Sequence, residues 1–122
     1  MPENPTDDGD PQSNVIMQNI LTRLFETIAA RKNADPKSSY VASLFAKGNK
    51  KIAQKVGEEA TETVLASAGG DKKEIVSESA DLLFHLMVLW AAHGVTPDDV
   101  SAELERREGT SGIEEKSQRS KS

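Results

Sequence analysis

The chain has 122 residues, 36% hydrophobic and 29% charged, enough for one domain with a modest core. It has no cysteine, which excludes disulfides, thiolate nucleophiles and cysteine-based zinc sites. Its 15 basic and 20 acidic residues leave a net charge of −5, which argues against a nucleic-acid partner.

Residues 1–14 carry three prolines, four acidic residues and no large apolar side chain after Met1. They cannot bury enough surface to offset ordering entropy and are expected to be disordered. They contain no apolar stretch of the kind a secretory signal needs, and no apolar run of the chain reaches membrane-spanning length. No membrane partner and a cytoplasmic location are therefore expected. The folded unit is placed at 15–109. Its first helix, from Val15 to about Lys32, places Ile16, Ile20, Leu24 and Ile28 at four-residue steps, with Leu21 and Phe25 widening the stripe. Asn33-Ala34-Asp35-Pro36 breaks it. A short helix from about Ser39 to Lys47 stops at Gly48, and Asn49 is expected to cap a third that runs to about Ala68. Gly69-Gly70 forms a turn, Asp71 caps a fourth helix from Lys72 to about His93, and Gly94 ends it. Thr96, Pro97, Asp98 and Asp99 announce a fifth, ending near Gly109. Residues 110–122, rich in Ser, Lys and Glu, are expected to be disordered. No sustained alternation of apolar and polar residues supports a strand. The fold class is all-α, a four- to five-helix bundle.

From Leu82 to Ala92 the fourth helix is apolar on nearly every side except at His85. Such a helix is buried all round, yet so short a chain can hardly surround it. It is either the tightly packed centre of a monomer or, as expected here, part of a homodimer that completes the bundle.

The third helix contains Glu58-Glu59-Ala60-Thr61-Glu62 and the fourth Glu78-Ser79-Ala80-Asp81. Three- and four-residue steps place Glu59 and Glu62, and Glu78 and Asp81, on shared faces. If the two helices fold back at Gly69-Gly70, Glu62 reaches the height of Glu78, and Glu59 that of Asp81. All four then lie within about one turn, roughly 5 Å of helix axis. Clustered, partly buried carboxylates repel and lose solvation, so they either hold protons or are neutralised by a cation. A single glutamate of this kind is usually just a solvated surface residue; the matched heights and edge-of-core placement of the set argue for a site. An all-oxygen donor set suits Mg²⁺, with Mn²⁺ as the alternative. Beside it, Lys47, Lys50, Lys51 and Lys55 form a basic cluster suited to a polyphosphate, and no P-loop is present. His85 is expected to be a core histidine paired with a carboxylate, and His93 a helix C-terminal cap or cation. Ser39-Tyr40 and Arg106-Arg107 are within conceivable reach of a substrate.

The pattern Glu58-Glu59-x-x-Glu62 followed by Glu78-x-x-Asp81 resembles the all-α MazG-like nucleoside triphosphate pyrophosphohydrolases. The strings SYVASLFAKG, KIAQKVGEEATETV and ADLLFHLMVLWAAHGV, in that order, resemble more closely the phosphoribosyl-ATP pyrophosphatase family over about Ile20 to Gly109. The resemblance implies Mg²⁺-dependent hydrolysis of phosphoribosyl-ATP to phosphoribosyl-AMP and pyrophosphate, the second step of histidine biosynthesis, by a cytoplasmic homodimer. It assigns Glu59, Glu62, Glu78 and Asp81 as metal ligands. Glu58, Glu59 and Glu62 form the catalytic group, with Glu58 orienting or deprotonating water. Lys47, Lys51 and Lys55 are expected on the substrate phosphates. The competing readings are a MazG-like housekeeping hydrolase of aberrant nucleotides and a non-catalytic helical dimerisation module.

Overall fold

A computed structural model describes residues 11–108 and, beyond them, residues 112, 116, 117 and 119. Five helices follow one another: α1 (Pro11–Ala30), α2 (Tyr40–Lys47), α3 (Asn49–Gly69), α4 (Lys72–Ala92) and α5 (Pro97–Arg107). No strand occurs among the described residues. The expected disorder of 1–14 and 110–122 falls largely outside the described residues. Within those spans, 11–14 are helical, as are Gly112, Lys116, Ser117 and Arg119. α1 thus starts earlier than its apolar stripe, at Pro11, whose fixed φ suits a first helical position.

The helix boundaries follow from local chemistry. Ser39 caps α2 by accepting a hydrogen bond from the Ala42 amide. Gly48 then serves two helices at once. Its N–H donates to Leu44 and Phe45 carbonyls, closing α2, and its carbonyl accepts from Ile52 N–H, opening α3. Its φ of 94° lies where only glycine is at ease. Asn49 is therefore already the first residue of α3 and not its cap, and Gly48 supplies no side-chain bond in its place. Gly70, at φ 78°, closes α3 through bonds to Ala66 and Ser67, and Asp71 opens α4 by accepting from the Lys73 amide at 2.9 Å. α5 begins with a reciprocal capping box: Thr96 Oγ1 accepts from Asp99 N–H at 3.1 Å, and Asp99 Oδ2 accepts from Thr96 N–H at 2.9 Å. Thr96→Ala is expected to cost about 1 kcal/mol, read as a lower urea midpoint at unchanged m-value.

Ile28, Leu44, Ile52, Met87, Val88 and Ala91 form the buried core, drawn from α1, α2, α3 and α4. The α3–α4 pair is an antiparallel hairpin joined at Gly69-Gly70, and α1 lies against α4. By length and composition α4 is a candidate membrane span, which the apolar run alone did not suggest. Here its His85, Met87, Val88 and Ala91 are buried within the bundle, while Glu78 and Asp81 interrupt its first half. The single chain does not surround α4: Leu82, Leu86, Leu89 and Trp90 are only half-buried. Ile16, Val64, Leu65 and Val76 are at least 58% exposed, a large share for such side chains.

Candidate active site

The hairpin brings carboxylates of two helices together. Thr63, four residues after Glu59, has its Oγ1 2.8 Å from the Glu59 carbonyl and 3.2 Å from that of Glu78. Its hydroxyl proton is shared between the two helices and fixes their register at this level. Glu59, Glu78 and Asp81 each offer a carboxylate oxygen there, all within 4.8 Å of one another. Glu59 is well enclosed, with 15% of its side chain exposed, Glu78 is half-buried and Asp81 is exposed. Glu62 is exposed and stands outside this trio. It lines an adjoining groove of about 340 Å³ with Leu65, Ala66, Glu74, Ser77 and Glu78. Glu78 borders both spaces.

Crowding shows in the protonation equilibria. Partial desolvation pushes the Glu78 carboxyl above the usual glutamate value, and the charges of Glu62, Asp81, Glu59 and Glu74 push it further. Carboxylates crowded in this way favour a cation between them. The three converging groups are hard oxygen donors, as Mg²⁺ or Mn²⁺ prefers, so the residues present fit such an ion.

Lys55 Nζ lies 3.4 Å from Glu58 Oε1 and 3.7 Å from Glu59 Oε2. Partial burial works against its charge, but Tyr40, Glu58 and Glu59 outweigh that and hold its pKa above the ordinary lysine value. Glu58 receives a 2.7 Å hydrogen bond from Gln54 Nε2. This bond first, then Lys55 and Lys51, lower its pKa. Glu58 is thus held as a weakly basic anion, suited to accepting a hydrogen bond from water. Lys51 is half-buried on the first turn of α3, and Lys47 is exposed at the end of α2. Among the described residues, only Lys55 of the three expected phosphate-binding lysines makes an ion pair with the site carboxylates.

His85 is buried, but its partners are not carboxylates as expected. Nδ1 lies 2.9 Å from the Asp81 carbonyl oxygen and Nε2 2.9 Å from the Tyr40 hydroxyl. A carbonyl only accepts, so Nδ1 carries a proton, and in that tautomer Nε2 accepts from the Tyr40 hydroxyl. The four-residue step puts a helical histidine over the preceding turn, within reach of its backbone oxygen, while the Asp81 carboxylate joins Glu59 and Glu78. His93 is the C-cap of α4. Ser39 is occupied as a cap, and Arg106 and Arg107 bond to Glu103, drawing its pKa down to about 2. Periodicity did not single out Thr63, Gln54 or the Tyr40–His85 pair. Their one signal is the i, i+4 spacing of Thr63 from Glu59 and of Gln54 from Glu58.

The model of the family described as phosphoribosyl-ATP pyrophosphohydrolase matches residues 21–108. A protein of Erythrobacter litoralis named phosphoribosyl-ATP pyrophosphatase is 63% identical over 101 residues, covering 83% of this chain and 97% of its own. One of the same name from Rhizorhabdus wittichii is 62% identical, covering 86% and 99%. Another from Gluconobacter oxydans is 50% identical, covering 89% and 82%.

Proposed function

Because the chain belongs to the phosphoribosyl-ATP pyrophosphohydrolase family, we propose that it hydrolyses phosphoribosyl-ATP to phosphoribosyl-AMP and pyrophosphate with a divalent cation, Mg²⁺ or Mn²⁺, held at the α3–α4 hairpin. The enzyme is a phosphoric-anhydride hydrolase of histidine biosynthesis. The observation that carries the metal-site reading is the convergence of Glu59, Glu78 and Asp81 within 4.8 Å. These three hold the cation, and Glu62 joins them from the adjoining groove, where its exposed side chain is free to turn. When bound, the cation polarises a phosphoryl oxygen and makes a nearby water more acidic.

The remaining steps fall to the chain. Lys55, already beside Glu59, neutralises phosphate charge, with Lys51 and Lys47 further along the polyphosphate. Glu58 accepts a hydrogen bond from the attacking water and orients it. The water oxygen bonds to phosphorus, the α–β anhydride bond breaks, and the water proton passes to a site carboxylate. Pyrophosphate leaves with the bond's electron pair.

The protein acts as a cytoplasmic homodimer in this reading. The exposed Val64, Leu65 and Val76 and the half-buried face of α4 favour a second copy of the chain.

Pyrophosphate release is to be measured on phosphoribosyl-ATP and a panel of deoxynucleoside triphosphates, with Mg²⁺ and with EDTA. Release from phosphoribosyl-ATP, abolished by EDTA, is the expected result. Preference for a deoxynucleotide would favour a housekeeping hydrolase. No release from any nucleotide, with no change in melting temperature on adding Mg²⁺, would favour a non-catalytic module.

A further inference from the structure

Tyr40 has a placement that core packing does not account for. It is the first residue of α2 and remains 53% exposed. Yet it is held firmly. Its hydroxyl donates to Nε2 of His85, which is itself only 7% exposed and fixed at Nδ1 by the Asp81 carbonyl. Phe84 lies nearly parallel to its ring, with centroids 6.3 Å apart at 19°, and the His85 ring meets it edge-on at 5.9 Å. Phe84 and His85 in turn meet edge-on at 5.1 Å. The three rings therefore brace one another. An aromatic side chain locked in place but left open to solvent is preorganised for a planar ligand, because little ordering entropy remains to be lost on binding.

Its neighbours define where that ligand's other end would lie. Through His85 the Tyr40 hydroxyl is tied to the backbone of Asp81, a member of the carboxylate trio, and Lys55 stands between Glu58 and Glu59. A nucleotide with its phosphates at Lys55 and the carboxylates has its base one ribose away. We propose that the open part of the Tyr40 ring is the stacking platform for the purine base of the substrate, making Tyr40 a specificity-determining residue. This rests on the carboxylate cluster being the reaction centre. The His85 bond sets the platform's angle and takes no part in the chemistry.

The test compares steady-state kinetics of the full chain with Tyr40→Leu, which removes the ring, and Tyr40→Phe, which keeps it. Tyr40→Leu should raise KM for phosphoribosyl-ATP by about ten-fold, the scale of one lost base–aromatic stack, with kcat little changed. Its inhibition constant for inorganic pyrophosphate, which has no base, should stay at the wild-type value. Tyr40→Phe, which keeps the ring but loses the His85 bond, should raise KM by only about two- to three-fold, the scale of one modest hydrogen bond. Tyr40→Gln, equally ringless, repeats the test should the leucine variant lose its helical circular dichroism. The proposal is overturned if Tyr40→Phe is as impaired as Tyr40→Leu, since the hydroxyl and not the ring would then matter. It is also overturned if KM is unmoved, if pyrophosphate inhibition weakens in parallel, or if size-exclusion chromatography shows a changed oligomeric state. Failure of the wild-type enzyme to release pyrophosphate with Mg²⁺ would instead bring down the reading beneath it.

Discussion

Glu59→Gln is expected to lower kcat by about 10²–10³-fold while leaving the helical circular dichroism intact. Glutamine matches glutamate in volume and still fits beside Lys55, so packing is preserved. What is lost is the negative charge of a well-enclosed member of the Glu59–Glu78–Asp81 group. Lys55, 3.7 Å from Glu59 Oε2 and 3.4 Å from Glu58 Oε1, keeps Glu58 as its partner, so the variant leaves no cation stranded. Each ten-fold corresponds to about 1.4 kcal/mol of barrier, so the loss amounts to about 3–4 kcal/mol. A second readout separates metal binding from chemistry. Millimolar Mg²⁺ should raise the melting temperature of the wild type by mass action and that of Glu59→Gln much less. A variant with near-normal turnover and a normal Mg²⁺ response would remove Glu59 from the site.

Leu44→Ala should cost about 2–5 kcal/mol of folding free energy, a large fraction of the roughly 5–15 kcal/mol available to a domain. Leu44 is 1% exposed and belongs to the core with Ile28, Ile52, Met87 and Val88. Its helix, α2, has only eight residues and cannot hold itself together in water. Its anchorage therefore rests on Leu44, on Ala42 and on the caps at Ser39 and Gly48. Urea denaturation at fixed protein concentration measures the loss. A decrease below about 1 kcal/mol would mean that the core relaxes into the space left behind. Because α2 also carries Tyr40, KM should rise in this variant under conditions where it is still folded.

Much of this was legible in the sequence, and the parts that were not share a cause. Thr96-Pro97-Asp98-Asp99 and Asp71 announced their helices because capping is a local interaction of a few residues. The meeting of Glu59 with Glu78 and Asp81 could be read by counting outward from Gly69-Gly70, since an antiparallel hairpin converts sequence distance into height. The same counting placed Glu62 with them, but height does not fix azimuth, and Glu62 faces the adjoining groove. Asn49 looked like a cap because residue type alone cannot reveal that Gly48 already joins both helices. The Tyr40–His85 bond was beyond reach for a different reason. It joins positions on non-consecutive helices, and only the packing of α2 against α4 brings them together. Nor does residue type reveal that the Thr63 hydroxyl lies between two backbone carbonyls, one of them on the neighbouring helix.

That shared hydroxyl has a consequence for how the molecule can change over generations. Surface connections ordinarily accept insertions and deletions. Here each residue gained or lost in α3 or α4 between the carboxylates and Gly70 would swing one half of the site by about 100° and slide it about 1.5 Å past the other. It would also draw Thr63 away from one of its two acceptors. The hairpin can therefore absorb many altered letters along its exposed flank, but not an altered count.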